Sequence, residues 1–90
     1  MELKIPITER SRKYGYVFWY KNQDDKVRQF FGETKKIDLW VNNSYLGKKR
    51  IDWRYRRISL GWTRTRPLGK DITVYRLTYN KDGALRIVCQ

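Results

Sequence analysis

The chain has 90 residues, enough for one domain, and its 21 Lys and Arg exceed its 9 Asp and Glu to give a formal net charge of +12. It has no histidine and a single cysteine, Cys89, so we expect no intramolecular disulfide, zinc finger, serine hydrolase, metal site or cofactor. No apolar run is long enough to span a membrane, and the first residues lack a signal-peptide pattern, which predicts a cytoplasmic, intracellular protein without membrane contact.

The first two predicted strands lie near the N-terminus. Ile5 and Ile7 flank Pro6, which restricts this segment to an edge strand because proline cannot donate to a sheet ladder. Residues 13–21 alternate as a strand does, and their two faces consist of Tyr14, Tyr16, Phe18 and Tyr20 on one side and Val17 and Trp19 on the other. Both faces are apolar or aromatic, so we expect one to face the core and the other a partner or a second layer.

Residues 22–32 are predicted to form one short helix, with a surface loop as the alternative. Asp24 or Asp25 can cap its start, and Gly32 can end it. An apolar stripe at helical spacing supports the helix and consists of Val27, Phe30 and Phe31.

Two further regions carry clear strand signals. Residues 36–42 alternate, with an inner face of Ile37, Leu39 and Val41 and an outer face of Lys36, Asp38, Trp40 and Asn42. Residues 42–44, Asn-Asn-Ser, are a predicted turn. Residues 71–79 and 84–89 form the clearest hairpin, because Asn-Lys-Asp-Gly at 80–83 is a turn sequence and Gly83 can take a positive φ.

The central segment, residues 48–66, fits two interpretations. As a strand it needs a bulge near Arg56-Arg57. The apolar residues Ile51, Trp53 and Tyr55 stand at odd-numbered positions, whereas Ile58 and Leu60 stand at even-numbered ones, so without a bulge they would lie on opposite faces. As a helix it places Ile51, Tyr55, Ile58 and Trp62 on one stripe and ends at Gly61. We favour the strand, because the neighbouring segments are strands and the residues are poor helix formers.

The positive charge is concentrated in this part of the sequence. Residues 48–70 carry nine basic side chains and only Asp52, a net charge of +8 out of +12. Such a field attracts polyanions, of which nucleic acid is the commonest inside a cell. The predicted phosphate ligands are Lys48, Lys49, Arg50, Arg54, Arg56, Arg57, Arg64 and Arg66.

Aromatic residues are interleaved with these arginines. Trp53, Tyr55 and Trp62 would suit single-stranded nucleic acid, whose exposed bases stack on flat side chains. The alternative is that Trp53 and Tyr55 are core residues and that only the arginines meet solvent. Residues 61–69 are predicted to be a loop in which Thr63, Arg64, Thr65 and Arg66 contact phosphates, with a merely solvated loop as the alternative.

A second candidate is the segment 12–19, Arg-Lys-Tyr-Gly-Tyr-Val-Phe-Trp. It resembles the ribonucleoprotein octet of RNA-recognition and cold-shock domains at Arg12, Tyr14, Gly15, Tyr16 and Val17. Lys13 departs from the octet, which has glycine at that position. The resemblance implies that Tyr14 and Tyr16 are stacking platforms, whereas an ordinary aromatic core strand is the alternative.

Catalysis is not expected. Asp24 and Asp25, adjacent at a helix start, would point in different directions and so would not converge on two metal ions. Cys89 has no histidine to activate its thiol. The sequence therefore indicates a protein that is not an enzyme.

These features predict one mainly β domain of the β-rich α+β class over residues 1–90. Its expected form is a small twisted antiparallel sheet or partly closed barrel of five or six strands with one short helix. The predicted function is non-catalytic binding of DNA or RNA, with the arginines holding phosphates and with stacking or groove contacts from Tyr14, Tyr16, Trp53 and Trp62.

Several partner classes stay open at this point. A central helix would favour the major groove of a duplex, whereas a central strand favours single strands or a β-ribbon in a groove. The alternative function is a small accessory or inhibitory module that docks on an acidic partner protein. An exposed strand edge or aromatic face would equally serve as the seam of a homodimer.

Overall fold

The structure, a computed structural model, describes residues 2–61, 69–80 and 82–90. Their secondary structure consists of β1 (Glu2–Pro6), α1 (Glu9–Tyr14), β2 (Tyr16–Phe18), a 3-10 turn (Lys21–Gln23), α2 (Asp24–Phe31), β3 (Lys36–Val41), β4 (Ser44–Arg50), β5 (Arg57–Ser59), β6 (Val74–Tyr79) and β7 (Ala84–Cys89). The predicted β-rich α+β class is therefore confirmed. The predictions for Trp62, Thr63, Arg64, Thr65, Arg66 and Lys81 lie outside the described residues.

Five strands form the main sheet in the order β1-β6-β7-β3-β4, and β2 and β5 pair separately as a two-stranded ribbon. The pairing of β3 with β7 is parallel and the other pairings are antiparallel, so the main sheet is mixed rather than antiparallel. Strands β1 and β4 are its two edges, and so the seven described strands do not close into a barrel. The strand count exceeds the expected five or six because the ribbon adds two short strands outside the main sheet.

The local strand predictions hold where hydrophobic alternation is regular. Pro6 ends β1, an edge strand as predicted, opposite Val74. In β3 the alternate residues Ile37, Leu39 and Val41 are buried. The turn after β3 is formed by Asn42 and Asn43 with φ of 45° and 68°, the positive values that a two-residue hairpin turn requires. The predicted hairpin of β6 and β7 is also confirmed.

Helix α1 is the first departure from the prediction, because it replaces the start of the strand expected at 13–21. Thr8 and Ser11 form a reciprocal capping box, in which Thr8 Oγ1 accepts from Ser11 N at 3.2 Å and Ser11 Oγ accepts from Thr8 N at 3.4 Å. Gly15, with φ of 69°, ends the helix. These local caps override the aromatic alternation, so the strand begins only at Tyr16.

The central segment is neither one strand nor a helix. It leaves β4 after Arg50, reverses in a turn, and returns as β5. Asp52 and Arg57 close the turn with two backbone hydrogen bonds of 2.9 and 3.1 Å, and Tyr55 N donates to Asp52 Oδ1 at 3.0 Å. Arg56 sits in this turn with φ of 54°. The parity shift expected near Arg56-Arg57 is therefore a reversal of the chain, not a bulge within one strand.

The core lies between the main sheet and a layer formed by α2 and the ribbon. Val17 and Ile58 of the ribbon join the predicted apolar stripe of α2, Val27, Phe30 and Phe31, in one buried cluster with the inner face of the main sheet. Lys4, Thr78 and Arg86 alternate with the buried sheet residues and are exposed, so the other face of the main sheet is open to solvent. Neither α-helix in the described part of the chain is long and apolar enough to cross a membrane.

Candidate nucleic-acid interface

On one face of the ribbon, the side chains point toward solvent. Val17 and Ile58 are opposite one another and buried, so the alternate residues of both strands point away from the core. Tyr16 lies opposite Ser59 and Phe18 opposite Arg57. These four outward residues we call the ribbon face. The exposed basic and aromatic side chains described below surround the ribbon face.

Arginine and aromatic side chains alternate across the ribbon face. The Arg57 guanidinium carbon lies 5.0 Å from the centre of the Tyr16 ring and 5.1 Å from that of Tyr55. The Arg10 guanidinium carbon, from α1, lies 4.6 Å from the centre of the Phe18 ring. The Tyr16 and Phe18 rings meet edge to face at 5.3 Å. Cation–π contacts of this kind hold a guanidinium over a ring while leaving its edge available for hydrogen bonds.

The two largest cavities beside the ribbon face are both open to solvent. The first, of about 520 Å³, is lined by Arg10, Tyr14, Tyr16, Phe18 and Arg57, and we call it the aromatic cavity. The second, of about 550 Å³, we call the arginine cavity, and its lining residues are Tyr16, Arg50, Ile51, Asp52, Trp53, Arg54, Arg57 and Ser59. Because Tyr16 and Arg57 line both, the cavities are neighbours on one continuous surface.

The charge of the two cavities is strongly positive. They contain the four arginines Arg10, Arg50, Arg54 and Arg57 and one carboxylate, that of Asp52. Asp52 Oδ2 lies 3.4 Å from Arg57 Nε, so part of the charge of Arg57 is balanced. Arg10, Arg50 and Arg54 are exposed. The arrangement can therefore attract phosphate groups at several points spread along the ribbon.

Five residues predicted from the sequence meet here, namely Tyr14, Tyr16, Arg50, Arg54 and Arg57. Trp53 also lines the arginine cavity but is largely committed to packing. Its Nε1 donates to Thr34 O at 3.1 Å, and its ring packs edge to face against Trp19 and Phe31. The guanidinium carbon of Arg28 lies 4.0 Å from the centre of that ring. A core position was the alternative for both Trp53 and Tyr55. Of the two, Tyr55 is exposed, at 58%.

Arg56 forms an ion pair with Asp24 and does not line the cavities that Arg57 lines. Its Nε donates to both oxygens of that carboxylate, at 3.0 and 3.1 Å. Trp19 Nε1 donates to the same carboxylate at 2.9 Å. The hydrogen bond from Arg56 is the main reason that the pKa of Asp24 lies below its ordinary value. The predicted capping role of Asp24 is thus replaced by an ion pair, and Gln23 precedes the helix without a side-chain cap.

Lys48 and Lys49 lie apart from the two cavities. Lys48 is opposite Asp38 in the edge strand β4 and lines a separate cavity of about 210 Å³ with Lys36 and Asp82. Lys49 is opposite the buried Ile37 and is half-buried. The sequence cluster 48–57 is therefore divided among different surfaces because the chain alternates in β4 and then reverses.

The octet-like segment does not form the single strand that its resemblance implies. Arg12, Lys13 and Tyr14 belong to α1, and only residues 16–18 are in a strand. Arg12 donates to Gly69 O at 2.6 Å and also to Ile72 O, so it fastens α1 to the segment before β6. Tyr14 and Tyr16 nonetheless line one cavity, since Gly15 redirects the chain between helix and strand.

Arg10 and Phe18 are site residues that the predicted set omitted. Arg10 reaches Phe18 only because residues 9–14 are helical. The signal for that helix was present in the sequence, since Thr8 and Ser11 have capping-box spacing and Gly15 is a typical helix end.

The described residues include no group of three or more His, Cys, Asp or Glu side chains that could hold a metal ion. Comparisons of the chain with protein-family models, with curated proteins and with solved structures found no match.

Proposed function

We propose that the protein binds nucleic acid, without catalysis, through the ribbon face and the two cavities beside it. The observation that carries this proposal is the alternation of arginine and aromatic side chains across one surface, with Arg10 over Phe18 and Arg57 between Tyr16 and Tyr55. Phosphates need cations and bases need flat apolar surfaces, and this surface offers both at the spacing of neighbouring side chains.

The arginines would supply the sequence-independent part of the affinity. Arg10, Arg50 and Arg54 are exposed and lie around Arg57. An arginine fork donates two parallel hydrogen bonds to phosphate oxygens, and each neutralised phosphate releases counterions. Four such contacts correspond to a slope of log affinity against log salt of roughly −3 for a single strand.

The aromatic side chains would supply stacking. Tyr14 and Tyr55 are 51% and 58% exposed, and the Lys13 ammonium and the Arg54 guanidinium lie 5.3 and 5.4 Å from their ring centres, so a base that reaches them meets both a ring and a cation. Tyr16 and Phe18 are held more rigidly, because β2 pairs with β5 and the rings contact each other. A surface in which Tyr16 and Phe18 are already held in place, with Tyr14 and Tyr55 exposed beside them, loses little conformational entropy on binding.

The decisive experiment compares two double charge reversals that change the net charge equally. Arg10→Glu with Arg54→Glu alters the proposed site, and Lys4→Glu with Arg86→Glu alters exposed residues on the open face of the main sheet. Fluorescence anisotropy with labelled single-stranded DNA, RNA and duplex DNA across a salt series gives the affinities. The site variant should lose at least about ten-fold in affinity and reduce the salt slope by roughly 1.5.

The control variant should lose much less, about three-fold or under, because it changes only the distant field. Equal losses in the two variants would show that the net charge, not this surface, governs binding. Absence of binding by the natural protein at about 50 mM salt would reject the proposed function.

A second candidate function is docking on an acidic partner protein, and it is favoured by the open face of the main sheet. There Trp40 lies between Tyr45 and Arg86, with ring centres 5.1 Å apart for the two aromatics and the Arg86 guanidinium carbon 4.8 Å from the Trp40 ring centre. Tryptophan, tyrosine and arginine dominate protein interface hot spots. Binding of polyglutamate that is lost in the Lys4/Arg86 variant and kept in the Arg10/Arg54 variant would support this candidate.

A further inference from the structure

The aromatic cavity has a chemistry different from that of its neighbour. Tyr14, Tyr16 and Phe18 supply three rings, Arg10 and Arg57 supply two guanidinium groups, and none of its lining residues is acidic. The arginine cavity, by contrast, includes Asp52. At about 520 Å³ the aromatic cavity lies within the size range of small-molecule sites. Its complement is a flat group that carries polar edges and adjoins negative charge.

Local contacts and helix caps set the positions of the three rings of this cavity. Tyr16 and Phe18 stand on the same face of β2, their ring planes are 83° apart, and the guanidinium groups of Arg57 and Arg10 lie over them. Tyr14 is the last residue of α1, and Gly15, with φ of 69°, sets its position relative to the ribbon. The caps at both ends of α1 therefore hold the third ring beside the other two.

Paired bases do not offer the groups that such a cavity can bind. In a duplex the base faces are stacked on one another, and a protein meets base edges, sugars and phosphates. An unpaired base exposes both of its faces and stacks on aromatic and arginine side chains. We infer that the aromatic cavity binds an unpaired nucleobase, and hence that the ligand is single-stranded, an inference that rests on the proposed function.

The shared lining residues indicate how a strand would continue. Since Tyr16 and Arg57 line both cavities, a nucleotide in the aromatic cavity has its neighbour at the arginine cavity. There Arg50 and Arg54 are exposed and face the backbone of that neighbour. The base is thus bound by rings on one side of Arg57, and the next phosphates are bound by arginines on the other.

The test uses oligonucleotides that differ only in their bases. A labelled thymidine strand of about ten nucleotides is compared with an abasic strand of the same length and charge, and with a fully paired duplex. Anisotropy titrations use the natural protein, Tyr14→Ala, and the matched control Tyr45→Ala. Tyr14 and Tyr45 are both 51% exposed, but Tyr45 lies on the open face of the main sheet.

The natural protein should bind the thymidine strand about ten-fold more tightly than the abasic strand, the effect of stacking a single base. Tyr14→Ala should remove most of that difference and leave the abasic affinity and the salt slope unchanged. Tyr45→Ala should retain the difference. The comparison of the two strands on the natural protein does not depend on how either variant folds.

Equal binding of thymidine and abasic strands, with affinity still lost on reversal of Arg10 and Arg54, would overturn the inference and leave the proposed function standing. Equal effects of Tyr14→Ala and Tyr45→Ala on the thymidine strand would also overturn it. If none of the three oligonucleotides binds, the proposed function and the inference both fail.

Discussion

Arg56 donates from Nε to both carboxylate oxygens of Asp24, at 3.0 and 3.1 Å, and so joins the turn after β4 to the first turn of α2. Its neighbour Arg57 lies instead on the ribbon face, against Tyr16 and Tyr55. The chain reverses at Arg56, whose φ is 54°, and two adjacent arginines are thereby assigned to different tasks. One stabilises the contact between elements and the other belongs to the proposed binding surface.

Replacing Asp24 with asparagine should lower the free energy of unfolding at neutral pH by about 0.5 to 1 kcal/mol, since the paired side chains are partly exposed. Asparagine keeps an oxygen that can accept from Trp19 Nε1 and removes the charge that Arg56 contacts. Urea unfolding at several pH values measures the difference. Asp25→Asn removes a charge from the same helical turn and is the control.

The pH dependence of that difference has a definite sign. Because the folded-state pKa of Asp24 is below its ordinary value of 3.8, its stabilising contribution is complete above that value. The contribution is lost as the pH falls through the lower folded-state pKa. The gap between the natural protein and Asp24→Asn should therefore shrink in acid, and a gap that stays constant would contradict the ion-pair account.

Local patterns in the sequence were sufficient for the elements whose burial repeats regularly. The alternation in β3, the apolar stripe of α2 and the turn between β6 and β7 each depend on residues close together in the chain. Parity placed Val17 and Trp19 on one face of the strand, and the structure shows that this face is the buried one. The β2–β5 pairing could not be read in this way, because its partners, such as Val17 and Ile58, are far apart in sequence.

The candidate site was likewise predicted only in part from the sequence. Arg54 and Arg57 were predicted from the basic cluster and Tyr16 from the octet-like segment, and all three line one cavity. Arg56 and Lys48 belong to the same basic run, but neither lines the aromatic or the arginine cavity, since Arg56 pairs with Asp24 and Lys48 lies in β4 opposite Asp38. Charge density predicts the sign of a surface, whereas backbone direction at single residues decides which charges share it.

Substitution of Trp53 tests whether this side chain stabilises the packed structure or serves ligand binding. Trp53→Ala should lower the free energy of unfolding by about 2 kcal/mol, less than for a fully buried tryptophan because the side chain is half-buried. The loss combines the contacts with Trp19 and Phe31 and the hydrogen bond to Thr34 O. Chemical denaturation followed by circular dichroism gives the value.

Tyr55→Ala is the matched control for Trp53, since Tyr55 belongs to the same turn and is 58% exposed. We expect it to change stability by less than about 0.5 kcal/mol. A Trp53→Ala protein as stable as Tyr55→Ala would mean that Trp53 is not part of the packed structure.

Cys89 should react slowly with alkylating reagents while the protein is folded. It lies opposite Tyr75 in the β6–β7 hairpin, and burial raises its pKa from an ordinary 9.0 to about 11. The thiolate is the reactive form, so at about pH 8 the folded protein should react roughly a hundred-fold more slowly than the urea-unfolded chain. Iodoacetamide labelling followed by mass spectrometry measures both rates.

The rate in the folded state should continue to rise with pH up to about 11, because the thiolate population grows over that range. Burial raises the pKa of Tyr75 as well, so both groups favour the folded state only while they are neutral. Their contribution to stability is complete below the unfolded-state values and is lost as the pH rises through the folded-state values. Labelling that is equally fast in the folded and unfolded states would contradict this account of Cys89.

Arg12 separates the structural role of a basic residue from a binding role. Its guanidinium donates to the carbonyl oxygens of Gly69 and Ile72, and so connects α1 with the segment that precedes β6. Arg12→Ala should therefore lower the free energy of unfolding by about 1.5 to 3 kcal/mol, the range for hydrogen bonds made by a charged group. Lys13→Ala, which removes the same charge from the next residue of α1, should change stability by less than about 0.5 kcal/mol.

The two substitutions should have similar and small effects on affinity for an oligonucleotide, because neither residue lines the aromatic or the arginine cavity. The octet-like pattern favours the opposite result, since its leading basic residue is Arg12. An affinity loss of about ten-fold in Arg12→Ala alone, with stability unchanged, would place Arg12 at the nucleic acid rather than at the carbonyl groups. Stability and binding measured on the same two variants thus decide between local sequence pattern and three-dimensional placement.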